Sequence, residues 1–188
     1  MSTVLDLSPI TQLTREQFYQ LCRANRDIPL ERSPKGELVI VSPVGGESGN
    51  QEAKLIVKVG VWNEQTDLGV VFSSSTIFSL PGGGDRSPDV AWVRRDRWEA
   101  LTPEQRETFP PICPDFVIEL RSRTDRLPPL QQKMQEYLDS GLRLGWLINP
   151  QDQQVEIYRP GQPAEVLAMP TVLSGDEVLP GFSLPVGA

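Results

Sequence analysis

The feature that most constrains the fold is the run Phe116-Val117-Ile118, in which three consecutive residues are apolar. Successive side chains of a β-strand point to opposite faces of the sheet, so an unbroken apolar run needs cover on both faces. We therefore expect a central strand over Asp115 to Leu120, packed between other layers of structure.

Three other segments carry helix signals. A capping box predicts a helix from Arg15 to Ala24, and apolar residues near helical spacing predict a second helix over about Ser48 to Glu64. Pro128-Pro129 at the start and Gly141 at the end bound a third helix with an apolar stripe.

The remaining patterns predict strands. After a loose lead-in over residues 1 to 10, the predicted strands are a hairpin over Leu30 to Ser42, runs at Val70 to Ser74, Thr76 to Leu80, Asp89 to Val93, Leu144 to Ile148, Val155 to Tyr158 and Val166 to Met169, and a last stretch through Val178. The order predicts an α/β (α+β) fold: one mixed β-sheet flanked by helices, with an extra N-terminal helix and hairpin and short C-terminal strands. At 188 residues the chain fits a single domain over 1–188.

Composition limits the chemistry. The net charge of -7 and a pI near 4.7 argue against a broad basic surface for nucleic acid, so any DNA contact must be local. The chain has no histidine, which excludes Ser-His-Asp nucleophile systems and imidazole zinc sites. Its two cysteines match no disulfide framework. No run approaches the roughly 18 apolar residues of a membrane span, so we expect a cytoplasmic protein without membrane contact.

Strand parity places Glu119 on the same face as Val117 and Arg121. Burying a carboxylate without a partner costs several kcal/mol, so Glu119 should meet a cation, a metal or hydrogen-bond donors. Asp89 begins another predicted strand. On the third helix, Lys133 lies at the margin of the apolar stripe and is the one cation expected to reach the sheet, whereas Glu136 is expected on the far side.

Two strand carboxylates and an adjacent lysine suit a magnesium-dependent phosphodiester site. Carboxylates are hard oxygen ligands that hold Mg²⁺, and the ion polarises phosphate and lowers the pKa of bound water. Lysine orients the attacking water or neutralises charge that develops on the phosphate. The structural alternative is a buried ion pair from Glu119 to Arg121 or Lys133.

These residues stand in a specific order: Ser87-Pro88-Asp89-Val90, then Pro114 to Ser122, then Lys133 to Tyr137, then Gly141 to Pro150. In this order the sequence resembles the Uma-type restriction endonuclease family of the PD-(D/E)xK superfamily. The resemblance covers most of the chain and is strongest over 87–159. It implies a restriction-endonuclease-like fold with a core of about 38–159, and metal-dependent DNA cleavage with Mg²⁺ or Mn²⁺.

The resemblance also implies roles for individual residues. Asp89 and Glu119 match the metal-binding acids of the family, and Lys133 matches a lysine supplied from the next helix. Arg121 stands where the superfamily more often has lysine. Because its pKa is too high for a base, Arg121 would instead bind phosphate or a carboxylate.

The sequence does not decide which further residues would bind the metal. An early helix often adds an acid in this superfamily, and Glu47 and Glu52 both qualify, while Gln131 flanks the apolar stripe. The resemblance further implies DNA as partner and a homodimer that cuts both strands. The competing hypothesis is a catalytically silent member of the fold that binds nucleic acid or a protein partner and keeps its charged residues as a structural network.

Overall fold

A computed structural model of the chain describes residues 3–187. Within that range the helices are α1 (Arg15–Ala24), α2 (Gly46–Thr66), α3 (Arg95–Glu99), α4 (Pro103–Glu107) and α5 (Leu127–Asp139). The strands are β1 (Thr3–Leu5), β2 (Leu30–Arg32), β3 (Leu38–Ile40), β4 (Gly69–Ser73), β5 (Phe78–Ser79), β6 (Asp85–Arg86), β7 (Val90–Arg94), β8 (Phe116–Leu120), β9 (Leu144–Asn149), β10 (Gln154–Tyr158), β11 (Glu165–Ala168), β12 (Thr171–Ser174) and β13 (Ser183–Val186).

The described strands form three sheets. A six-stranded mixed sheet has the order β11-β10-β9-β8-β7-β4, in which only β8 and β9 are parallel. A five-stranded sheet has the order β1-β3-β2-β6-β5, and β12 pairs with β13. A mixed sheet flanked by helices is thus confirmed, but the expectation of one sheet for the whole chain is wrong. Periodicity identifies strands and carries no information on which distant strand each one pairs with.

Both faces of the six-stranded sheet are covered, as the apolar run predicted. On one face Phe116 and Ile118 pack with residues of α2, including Trp62. On the other face Val117 packs with residues of α5, including Met134. All five residues of β8 are buried. The centre of the sheet is therefore enclosed, and any polar group on β8 needs a partner inside the protein.

Helices α1 and α5 match their predicted bounds because their end signals are local. The Thr14 hydroxyl accepts a hydrogen bond from the Gln17 backbone N–H, and Gln17 Oε1 accepts one from the Thr14 backbone N–H, so the capping box at the start of α1 is confirmed. At the end of α5, Gly141 has a φ of 102°, which favours glycine. Helix α5 connects the parallel strands β8 and β9, which places its inner side over β8.

The two chain ends differ from the prediction. The lead-in contains β1, in which Thr3 pairs with Ile40 of β3. The last predicted stretch, through Val178, instead ends at Ser174, and a further strand, β13, follows. Backbone pairing, which sequence periodicity does not show in three- and four-residue strands, organises both ends. Buried apolar side chains continue beyond the predicted core range of 38–159, as far as Val186.

No helix within residues 3–187 is long and apolar enough to cross a membrane.

Candidate active site

Asp89 and Glu119 face each other across two antiparallel strands. Val90 of β7 pairs with Ile118 of β8, so the next step along the ladder places Asp89 opposite Glu119. The Leu120 backbone N–H donates to Asp89 Oδ2 at 2.6 Å, which ties Asp89 to the strand that carries Glu119. Opposite side chains in such a pair share one face of the sheet. The two carboxylates therefore point into the same space.

Lys133 reaches this face from α5. Its ammonium lies 2.8 Å from Glu119 Oε1 and 2.9 Å from Glu31 Oε1, and it donates to the Ser87 carbonyl oxygen at 3.1 Å. An ammonium has three N–H groups, so these three acceptors use all of them. The inward direction predicted for Lys133 is confirmed, and its contact with Glu119 joins α5 to the central strand.

The electrostatics keep Lys133 charged. Burial opposes the charge, but the Glu119, Glu31 and Asp89 carboxylates outweigh it and raise the pKa of Lys133 above its ordinary value. A lysine with a raised pKa is a poor proton acceptor at neutral pH. Of the roles that lysine can take in such a site, the structure favours a fixed positive charge over a general base.

Both facing carboxylates are held where ionisation is penalised. Burial is the largest cause that raises the pKa of Asp89, and the neighbouring Glu119 carboxylate adds to it. Burial also raises the pKa of Glu119, which Lys133 offsets only in part. A divalent cation between two such carboxylates would relieve their repulsion, so the electrostatics of the pair suit a metal ion.

Three residues that the sequence did not indicate complete the cluster. Tyr137 donates its hydroxyl to Glu119 Oε1 at 2.9 Å. Glu31 of β2 accepts the Ser87 backbone N–H at 2.9 Å and lies 3.0 Å from the Arg86 guanidinium. No local signal marks Glu31 or Arg86, because each lies in a very short strand and their contact spans 55 residues of chain. Tyr137 belongs to the apolar stripe of α5, where a packing role is the simpler interpretation.

Glu136 corrects a prediction. We expected it on the exposed side of α5, but it is 8% exposed and lies 2.7 Å from Arg86. Helical spacing defines directions around a helix, and it does not show that a second sheet covers the far side of α5. Arg86 thus lies between Glu31 and Glu136. These ion pairs join the five-stranded sheet to α5, which packs on the six-stranded sheet.

Of the remaining candidates, only Glu52 lies at the cluster. It lines the same cleft as Asp89 and Glu119 and accepts a hydrogen bond from Ser74 at 2.5 Å. Glu47 does not line the cleft; it is exposed and bonded to Gln51 of its own helix. The structure therefore separates two acids that the sequence left equivalent.

Arg121 and Gln131 point elsewhere. The Arg121 guanidinium lies 2.7 Å from Asp152 and 3.1 Å from Asn149, at the turn that joins β9 and β10. Gln131 donates to Glu156 of β10 at 2.8 Å. Neither residue lines the cleft. Arg121 lies beyond the end of β8, where strand parity no longer controls side-chain direction.

The cleft has a volume of about 1020 Å³ and opens onto Asp89, Glu119 and Lys133. Within residues 3–187, no three acidic or cysteine side chains lie close enough together to form a complete metal-ligand set. Two carboxylates nevertheless fit Mg²⁺, since this ion keeps several waters and is usually held by one or two carboxylates plus substrate phosphate. Asp89 and Glu119 would hold it.

Comparison with known proteins decides the family. The Uma2 family model, described as "Putative restriction endonuclease", matches residues 15–187. The chain belongs to this family. The match extends from α1 to the C-terminal strands, so it includes every residue of the cluster, and the resemblance seen in the sequence is confirmed.

A solved structure supports the fold. A crystal structure of a putative nuclease belonging to DUF820 from Anabaena variabilis ATCC 29413 superposes with a TM-score of 0.71 at 20% sequence identity. The match covers 83% of this chain and 86% of that one. A search of the curated proteins finds no match. The structural likeness and the family match together confirm the restriction-endonuclease-like fold predicted from the sequence.

Proposed function

We propose that this protein is a metal-dependent endonuclease that hydrolyses phosphodiester bonds in DNA with Mg²⁺ or Mn²⁺. The observation that carries the proposal is the placement of Asp89 opposite Glu119, with the Lys133 ammonium against Glu119, at the floor of an open cleft. Family membership supports phosphodiester hydrolysis over other uses of two carboxylates and a lysine.

Each residue of the site has its own proposed role. Asp89 and Glu119 would hold the metal, which when bound polarises the phosphate and lowers the pKa of coordinated water. Lys133 stays protonated and offers its charge to the attacking water or to the phosphate as negative charge develops. To do so it must exchange one present acceptor, and the Ser87 carbonyl at 3.1 Å is the longest of its three contacts. Tyr137 holds Glu119 Oε1 in place.

Glu52 is the proposed auxiliary residue, because it lines the cleft and Glu47 does not. Arg121 has no proposed catalytic role, because its guanidinium is bonded at the turn between β9 and β10. We also propose that two copies of the chain cooperate to cut both strands of duplex DNA. Sedimentation of the purified protein, alone and with a short duplex, tests this; a monomer in both states contradicts it.

The deciding experiment is cleavage of supercoiled and linear DNA with Mg²⁺ or Mn²⁺. We compare the wild type with Glu119→Ala and Lys133→Ala, and use Arg159→Ala as a control because Arg159 pairs with Glu165 and Asp176, away from the cleft. Loss of one charge-stabilising group costs about 10²–10³ in kcat. Metal-dependent cutting that survives only in the wild type and the control supports the proposal.

One observation favours a second candidate, the catalytically silent member of the fold. All three N–H groups of Lys133 are engaged by acceptors of the protein, as in a structural network. In that case a folded wild type neither cuts DNA or RNA nor binds Mg²⁺ or Mn²⁺ in the millimolar range. Calorimetric metal titration of the wild type therefore separates the two functions without relying on the choice of substrate.

A further inference from the structure

Glu31 is a buried acidic side chain with several polar partners, outside the proposed metal pair. It is 4% exposed, and its two oxygens receive three partners. Oε1 accepts the Ser87 N–H and lies 2.9 Å from the Lys133 ammonium, while Oε2 lies 3.0 Å from Arg86. Despite burial, the Lys133 and Arg86 charges lower the pKa of Glu31, so it is ionised at neutral pH.

We propose that Glu31 is a positioning residue for Lys133 and is not itself a metal ligand. Because its second oxygen is bonded to Arg86 and its first to a backbone N–H, Glu31 is a fixed anion. The same ammonium also lies 2.8 Å from Glu119 Oε1. Lys133 therefore contacts two carboxylates: Glu31, which is fixed, and Glu119, which the proposed function assigns to the metal.

This arrangement matters most when a cation binds. A divalent ion at Asp89 and Glu119 would repel the Lys133 ammonium and weaken its attraction to Glu119. Glu31 does not share its charge with that ion in this arrangement, so it retains Lys133 at the site. The inference rests on the proposed function for its catalytic consequence, whereas the placement of Lys133 by Glu31 can be measured without any reaction.

Glu136 offers a matched control. Like Glu31 it is buried and bonded to Arg86, at 2.7 Å, but the ion pairs of Lys133 are with Glu31 and Glu119 and not with Glu136. Glu31→Gln and Glu136→Gln therefore remove the same charge from the same guanidinium and impose a similar structural penalty. Glu31→Asp is the second variant, because it keeps the charge and shortens the reach to Lys133 by one methylene.

The first measurement is the acylation rate of Lys133 by an amine reagent in metal-free protein, followed by peptide mass spectrometry. We expect Lys133 to be acylated about 10-fold faster in Glu31→Gln than in the wild type, with a smaller increase in Glu31→Asp and the wild-type rate in Glu136→Gln. Labelling of Lys133 that is equal in both glutamine variants overturns the inference. The result stands whether or not the wild type cuts DNA, so failure of the proposed function is recognised separately.

The second measurement separates positioning from metal binding. We expect kcat to fall about 10–100-fold in Glu31→Gln, as for other residues that orient a functional group, with KM for DNA unchanged. In a Lys133→Gln background the same substitution should lower kcat no further. Mg²⁺ affinity by calorimetry should match that of Glu136→Gln. A much weaker affinity in Glu31→Gln alone makes Glu31 a metal ligand and overturns the inference.

Discussion

At the scale of single residues, Asp89 is the clearest conflict between stability and function. Its surroundings raise its pKa, so the folded protein resists an ionisation that the unfolded chain undergoes freely. The carboxyl therefore lowers stability at pH values above the ordinary range of an aspartate, which is about 3.9, and has no such effect below it. Functional sites often retain charges that destabilise the fold.

Asp89→Asn should therefore stabilise the protein at pH 7 while abolishing its activity. The amide oxygen can still accept the Leu120 N–H, so the local structure is kept. Each kcal/mol of relieved destabilisation raises Tm by about 2–4 °C in a chain of this size. Thermal unfolding at pH 7 and near pH 4 measures the effect, and the gain should shrink at the lower pH. A lower Tm than the wild type at pH 7 contradicts the interpretation.

At the scale of elements, the contact between α2 and β4 holds α2 against the face of the sheet opposite α5. Asn63 near the end of α2 accepts the Gly69 N–H at 3.1 Å and donates to the Gly69 carbonyl at 3.0 Å. It also accepts from Trp92 Nε1 at 2.8 Å. The approach is close enough that a Cβ at Gly69 would overlap the Val93 carbonyl oxygen and the Trp92 ring.

Substitution by alanine should thus change the free energy of unfolding in opposite directions at two glycines. Gly69→Ala should destabilise by about 1–3 kcal/mol, since backbone must move to make room. Gly60 lies inside α2, and apart from its chain neighbours and the backbone of its own helix no heavy atom lies within 4 Å of the position that an alanine methyl group would occupy. Gly60→Ala should therefore stabilise by about 1 kcal/mol. Urea unfolding of both variants tests the pair. If both substitutions stabilise the protein, the α2–β4 contact accommodates an added methyl group more readily than we infer.

At the scale of the whole molecule, net charge opposes the proposed substrate. The chain carries -7, and the cleft contains the carboxylates of Glu31, Asp89 and Glu119. A phosphate backbone meets repulsion there unless a bound cation reverses the local sign. DNA affinity should therefore depend on the metal more than on basic side chains.

We expect no DNA binding in a chelator at about 0.15 M salt, and measurable binding when Ca²⁺, another hard oxygen-binding cation, is added. Fluorescence anisotropy of a labelled duplex gives the affinity. Glu119→Ala should lose the effect of Ca²⁺, while Arg159→Ala should keep it. Equal affinity with and without Ca²⁺ would instead locate binding on a surface outside the cleft.

The sequence alone determined the features that depend on neighbouring residues. The ends of α1 and α5 follow from capping and glycine signals, and the two covered faces of β8 follow from its apolar run. Strand parity likewise placed Glu119 on the face of Val117, and helical spacing directed Lys133 toward the sheet. Asp89 became a candidate as the carboxylate at the start of another predicted strand. Each inference needs only the local geometry of one element.

Tertiary structure alone decided which distant elements meet. The contact of Glu31 with Lys133, the burial of Glu136, the selection of Glu52 over Glu47, and the direction of Arg121 away from the cleft all depend on pairing between separate strands and sheets. Pairing is set by register, twist and the packing of one layer on another, which are properties of the whole chain. Local periodicity specifies how a side chain leaves its own element, and only the assembled layers determine what it meets.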